Sequence, residues 1–307
     1  MKRTLILFLA ALLPLMAVAQ TPDDFQRRYN NLTERVGNAG LGVETLLSQW
    51  EAAFPEDANL WRARFLLCIE QAREVSYIRL DADRYLGREP LVAYTDSLGV
   101  RSNIFEDISY EPTRFAEAEK ALGQAIRLQP GDLDLRLAKV AALMAYEKES
   151  PEMATRELCG LVDYNYLSKP EWTCLGEAVD EETFLAMVQD YCVGFFRLNT
   201  PTGFEAFRLV SEKVLRYRPD HPLYLDNLGS YWLVGKHEPK KALKYYNKVL
   251  KAHPDDLTAI RNGILLARSE KDVKLEKKFL AMLAQYGESE MDREGARRRL
   301  EALESKK

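Results

Sequence analysis

Five times in this chain a run with helical periodicity stops at a proline, and an acidic or small residue then opens another run. The junctions are Phe54-Pro55-Glu56-Asp57, Gln129-Pro130-Gly131-Asp132, Lys169-Pro170-Glu171, Arg218-Pro219-Asp220 and His253-Pro254-Asp255-Asp256. Proline cannot continue a helix, because it lacks the amide hydrogen and clashes with the preceding turn. A carboxylate just beyond it suits the electropositive start of the next helix. Repeated stops and starts of this kind predict stacked helical hairpins, and hence a surface for holding a partner.

Between the prolines the apolar residues fall three and four apart. Phe25, Tyr29, Leu32 and Val36 form one stripe behind the start signal Thr21-Pro22-Asp23-Asp24, and Val43, Leu46, Leu47 and Trp50 form a second. The run from Leu60 to Val75 is a third. Further stripes cover about 113–128, 132–148, 151–166, 181–197, 202–217, 221–235, 238–252, 256–268, 271–285 and 288–304. Short links between them make successive helices antiparallel neighbours.

The segment His221–Pro254 resembles a tetratricopeptide repeat. Leu225, Leu228, Gly229, Trp232, Ala242, Tyr246 and the closing Pro254 follow its pattern, with one extra residue in the turn Gly235-Lys236-His237-Glu238-Pro239. Ala118, Leu122, Ala125 and Pro130 match a second helix of such a repeat, and Trp61 matches the tryptophan of a first helix. The resemblance is weakest over 151–217, where the small-residue positions are mostly lost. It implies an all-α fold, a right-handed α-solenoid of about six hairpins spanning residues 20–307 as one repeat domain. Residues 288–307 alternate charge around Ala296, Leu300 and Leu303, as a terminal capping helix requires.

Two intervals depart from the repeat. The segment 77–112 abandons helical period: Leu91–Thr95, the turn Asp96–Gly99 and Val100–Phe105 read as a β-hairpin. The segment Glu171–Asp180 reads as a loop before a long helix.

At the N-terminus, Lys2 and Arg3 precede an apolar run from Leu5 to Val18 and the small-x-small site Ala17-Val18-Ala19. We read residues 1–19 as a bacterial export signal rather than a membrane anchor, which places the protein in the periplasm or outside the cell. The four cysteines, Cys68, Cys159, Cys174 and Cys192, are then free to pair in three ways, although each sits in an apolar context that also suits a buried thiol.

The formal net charge of −4 argues against nucleic acid, whose binders carry a basic face. The Lys240, Lys241, Lys244, Lys248 and Lys251 stripe reads as a solvated helix face. His221, His237 and His253 fall at opposite ends of the repeat helices, which argues against a metal site. No cofactor is expected.

The residues as read support a non-catalytic scaffold for a protein or peptide. The alternative is a ligand-binding or enzyme-accessory protein in which the insertion completes a small-molecule pocket. Tyr77, Tyr85, Tyr94, Phe105 and Tyr110 of the insertion are candidate anchors, since rings on a loop supply contact area at little entropic cost. Some tetratricopeptide domains hold a C-terminal carboxylate with basic residues on their first helices. The corresponding positions of the best repeat carry Asp226 and Ser230, while Arg62 and Arg136 lie on other first helices.

Overall fold

A computed structural model describes residues 21–305; the expected export signal lies outside them. The described chain is mostly helical, with thirteen α-helices and two small antiparallel sheets, and it divides into two compact units. Among the described residues no helix is long and apolar enough to cross a membrane.

The first unit comprises the described residues up to Ala72 together with Thr113–Leu128. Its helices are α1 (Pro22–Val36), α2 (Val43–Ala53), α3 (Ala58–Ala72) and nearly all of α4 (Pro112–Leu128). Thr21 and Asp24 close a reciprocal capping box at the start of α1, satisfying amides that the helix itself cannot. The first two stripes meet in one core, where Phe25 stacks on Trp50 at 5.9 Å. Trp61 donates its indole hydrogen to the Pro55 carbonyl at 2.7 Å, which ties the helix start to the proline junction before it. Ala118, Leu122 and Ala125 form the buried stripe of α4.

The second unit comprises Arg73–Pro112 and the described residues from Gln129 onward. Its helices are α5 (Leu133–Glu147), α6 (Glu152–Ser168), α7 (Glu181–Arg197), α8 (Pro201–Tyr217), α9 (Pro222–Ser230), α10 (Pro239–Ala252), α11 (Leu257–Ser269), α12 (Val273–Tyr286) and α13 (Glu290–Glu304). Consecutive helices pack as antiparallel pairs, α5 on α6, α7 on α8, α9 on α10 and α11 on α12. The acids after Pro130 and Pro254 act as N-caps, Asp132 accepting from the Leu135 amide and Asp256 from the Ala259 amide. Helix α13 packs on α12, burying Ala296, and its Arg299 reaches the buried Glu276 at 3.0 Å.

The mostly helical chain carries its main sheet in the expected insertion, and that sheet is larger than a hairpin. The predicted hairpin is present as β2 (Val92–Thr95) and β3 (Arg101–Tyr110), but a third strand, β1 (Arg73–Leu80), pairs with the other side of β3. The third helix therefore ends at Ala72 instead of continuing to Val75, and Arg73-Glu74-Val75-Ser76-Tyr77 runs on as strand. The local apolar spacing was compatible with either state; eight residues of β3, Asn103–Tyr110, supply the ladder that decides for strand. The interval 171–180 is also more than a loop, for it holds the two-residue strands β4 (Thr173–Cys174) and β5 (Glu177–Ala178).

Glycine decides how closely α9 and α10 approach. A methyl group added at Gly229 would stand 2.2 Å from Cε1 of Tyr246, a ring that is itself fully buried. The same device recurs at Gly263, where the added carbon would meet Phe279 at 2.5 Å. Between α9 and α10 lies a single π-helical turn, Tyr231–Gly235, in which the Lys236 amide bonds to the Tyr231 carbonyl. We predict that Gly229→Ala lowers stability by about 1–3 kcal/mol through overpacking. Thermal denaturation of Gly229→Ala with and without Tyr246→Leu checks this: the smaller partner should recover part of the loss, and equal melting of Gly229→Ala and the parent would refute the close crossing.

Candidate functional site

The second unit carries a cleft of about 810 Å³ between the strand insertion and the faces of α5 and α7. Its floor follows from helical spacing. Leu137, Ala138, Ala141, Met144 and Ala145 share one face of α5, and Met187, Tyr191 and Gly194 share one face of α7. Three alanines in that stripe leave the space that larger side chains would fill. Gly194 lets the Met144 thioether lie across α7, since an added carbon would meet Met144 Cε at 2.9 Å.

The opposite wall comes from β3, through Glu106, Ile108 and Tyr110, and from the tight turn Tyr85-Leu86-Gly87-Arg88. That turn is closed by reciprocal backbone bonds of 3.0 Å between Tyr85 and Arg88. Leu86 and Gly87 both have positive φ, +49° and +74°, as a tight hairpin turn of the right twist requires. Gly87 has a second constraint: an added carbon would stand 2.4 Å from the Arg197 carbonyl oxygen, so the turn seats directly on the end of α7.

A polar node joins the wall to the floor. Lys148, at the end of α5, donates to Asp107 Oδ1 of β3 at 2.7 Å, and the Tyr85 hydroxyl donates to the same oxygen at 3.0 Å. The Lys148 hydrogen bond is the chief reason that the Asp107 carboxyl titrates below its ordinary value. Burial, and then the bond to Asp107, push the Tyr85 hydroxyl up to about 12, so it remains a donor at neutral pH. Around the rim stand Arg88, Arg197 and Asp190, all exposed and, among the described residues, none with a charged partner within salt-bridge distance. Asp134 is engaged, accepting from the Leu175 amide at 2.9 Å.

The structure sorts the candidates named from sequence. Tyr85 and Tyr110 line the cleft. Tyr77 is 67% exposed on β1, and Tyr94 lies beneath the Arg79 guanidinium, so neither belongs to the cleft lining. Phe105 is buried and packs against the Tyr85 ring at 5.9 Å, which makes it a support and not an anchor. Arg136 is occupied: its Nε donates to the Pro130 carbonyl and its guanidinium covers Tyr164 at 4.3 Å. Arg62 lies in the first unit, on α3, at intermediate exposure. Ser230 is partly buried, with Asn262 as a 3.4 Å donor.

Asp226 is the sharpest departure. It does not face a groove; it is 2% exposed, with both oxygens lacking a hydrogen-bond donor. Sequence reasoning missed Arg88, Lys148, Asp190 and Arg197. The readable signal was the alanine stripe on α5, whose small residues at helical spacing are too small to fill the space against a neighbour.

A second groove, of about 620 Å³, runs between α6 and α8 in the same unit, with Cys159, Ala206 and Leu209 among its lining. Burial raises the Cys159 thiol to about 11, and Cys68, Cys159 and Cys192 are free thiols in the structure.

No protein-family model matches the chain, and no curated protein shows significant similarity to it.

Asp226 yields a pH prediction. Burial first, and then the neighbouring Asp256 carboxylate, push it up to about 8. A carboxyl whose folded pKa exceeds its unfolded value favours the folded state fully below the unfolded value, near 4, and loses that contribution as pH rises through the folded value. Stability should therefore fall between about pH 4 and pH 8, with a limiting slope of about 1.4 kcal/mol per pH unit from this group. Denaturant titrations at several pH values should show that slope reduced in Asp226→Asn; an identical slope in both proteins would contradict the assignment.

Proposed function

We propose that this chain is a non-catalytic interaction module of the bacterial cell envelope, exported through residues 1–19. On this reading its hairpins form a tetratricopeptide-like right-handed solenoid, and its ligand is a peptide or an extended segment of another protein. The cleft of the second unit is the observation that carries the proposal. An apolar floor of alanine, leucine and methionine suits side chains, while free charges of both signs on the rim suit a polar backbone and its charged groups.

A second reading is a small-molecule pocket completed by the insertion. The clustering of Tyr85, Asp107 and Lys148 at the wall favours it, because convergent polar groups orient small ligands.

Bulky substitutions separate the two grooves. Ala141 is exposed on the cleft floor, and Leu209 is exposed in the groove between α6 and α8. Ala141→Trp should weaken binding of a mixed pool of capped heptapeptides by at least about tenfold, whereas Leu209→Trp should leave it within about twofold. Fluorescence anisotropy with labelled peptides reads this. The reverse pattern would move the site to the other groove, and selective binding of small metabolites with no peptide binding would favour the second reading.

A further inference from the structure

The cleft wall has an unused strand edge. In an antiparallel ladder the backbone groups of alternate residues point to alternate sides of the strand. The Val100 carbonyl accepts from the Asp96 amide and the Ile104 carbonyl accepts from the Leu91 amide, so the even-numbered residues of β3 face the β2 side. The Ser76 hydroxyl reaches the Asp107 carbonyl from β1, so the odd-numbered residues face the other way. Pairing of β2 with β3 ends at Val92 opposite Ile104. Two residues before Val92 stands Pro90, which has no amide hydrogen to extend the ladder.

Glu106 and Ile108, the next even positions, therefore turn their N–H and C=O groups to a side on which no strand pairs among the described residues. Both residues line the cleft. An unpaired strand edge beside a cavity is a template for another strand. The floor helix α5, from Asp134 to Lys148, spans about 21 Å at 1.5 Å per residue, which matches an extended segment of about six residues. Arg88 and Arg197 are both exposed and issue from adjoining backbone segments, because Gly87 packs on the Arg197 backbone.

We infer that the cleft binds an extended acidic peptide as an added strand on β3, hydrogen-bonded to the backbone of Glu106 and Ile108, with a carboxylate side chain at Arg88 and Arg197. This rests on the proposed peptide-binding function and specifies its mode. A peptide laid only on the helical floor would use side-chain contacts and tolerate loss of its own amide hydrogens. An added strand presents alternate amides to β3 and needs only those.

The test uses the full chain and a randomised pool of acetylated, amidated heptapeptides, each carrying one Asp or Glu. The tightest binder is then resynthesised with single backbone N-methyl groups along its length. Methylation at alternate positions should weaken binding by about tenfold or more, and at the intervening positions by less than about twofold. Ile108→Pro removes one cleft-facing amide without touching the ladder to β1, so it should lose binding while the Phe105 and Asp107 amides keep their exchange protection; Ile108→Val should bind like the parent. Uniform tolerance of N-methylation, or full affinity in a folded Ile108→Pro, would overturn strand addition and leave peptide binding standing. Failure of every peptide in the pool would overturn the proposed function and this inference with it. Replacement of the acidic residue in the best binder by Asn or Gln should weaken it in the parent but not in Arg88→Ala/Arg197→Ala, and equal effects in both would refute the arginine contact.

Discussion

The bond from Lys148 to Asp107 is the interaction on which the second unit's cleft depends. It joins the end of a helix to the middle of a strand, and its partner bond from Tyr85 fixes the return segment against the same carboxylate. Both charged side chains are partly buried, so the pair is less screened than an exposed one, although each has given up some hydration to form it. Removing one partner would leave the other charge half-buried and uncompensated. What this arrangement secures is position: β3 is held at the distance from α5 that leaves a cleft, not a packed interface.

The rest of the wall follows from restrictions on the backbone. Pro90 stops the β2 ladder, and Gly87 permits both the left-handed turn and its contact with the end of α7. On the helical side, small residues set the geometry. Ala138, Ala141 and Ala145 keep the floor open, while Gly229 and Gly263 let rings of the neighbouring helices approach the backbone. Space in this protein is thus made by omitting side chains and kept by a few polar bonds that fix its boundaries.

Much of this was legible in the sequence. All thirteen helices fall close to the apolar stripes, because burial of one face leaves a 3.6-residue period whatever the tertiary arrangement. The β2–β3 hairpin was legible from its turn. Strand β1 was not, since Arg73–Leu80 owes its conformation to partners about thirty residues away. Among the site candidates, Tyr85 and Tyr110 reached the cleft, but Phe105 and Arg136 were drawn into structural contacts. Residue type told which side chains were able to anchor a ligand. It did not tell which were already occupied, because occupation depends on contacts as distant as Asp107 with Lys148 and Gly87 with Arg197.

The most direct measurement is a methyl and amide chemical-shift map of the full chain during titration with its best-binding capped peptide. The account predicts the largest changes at Ile108, Ala138, Ala141, Met144 and Met187, together with the amides of Glu106 and Arg88. Changes concentrated instead on Cys159, Ala206 and Leu209, with the cleft silent, would contradict it.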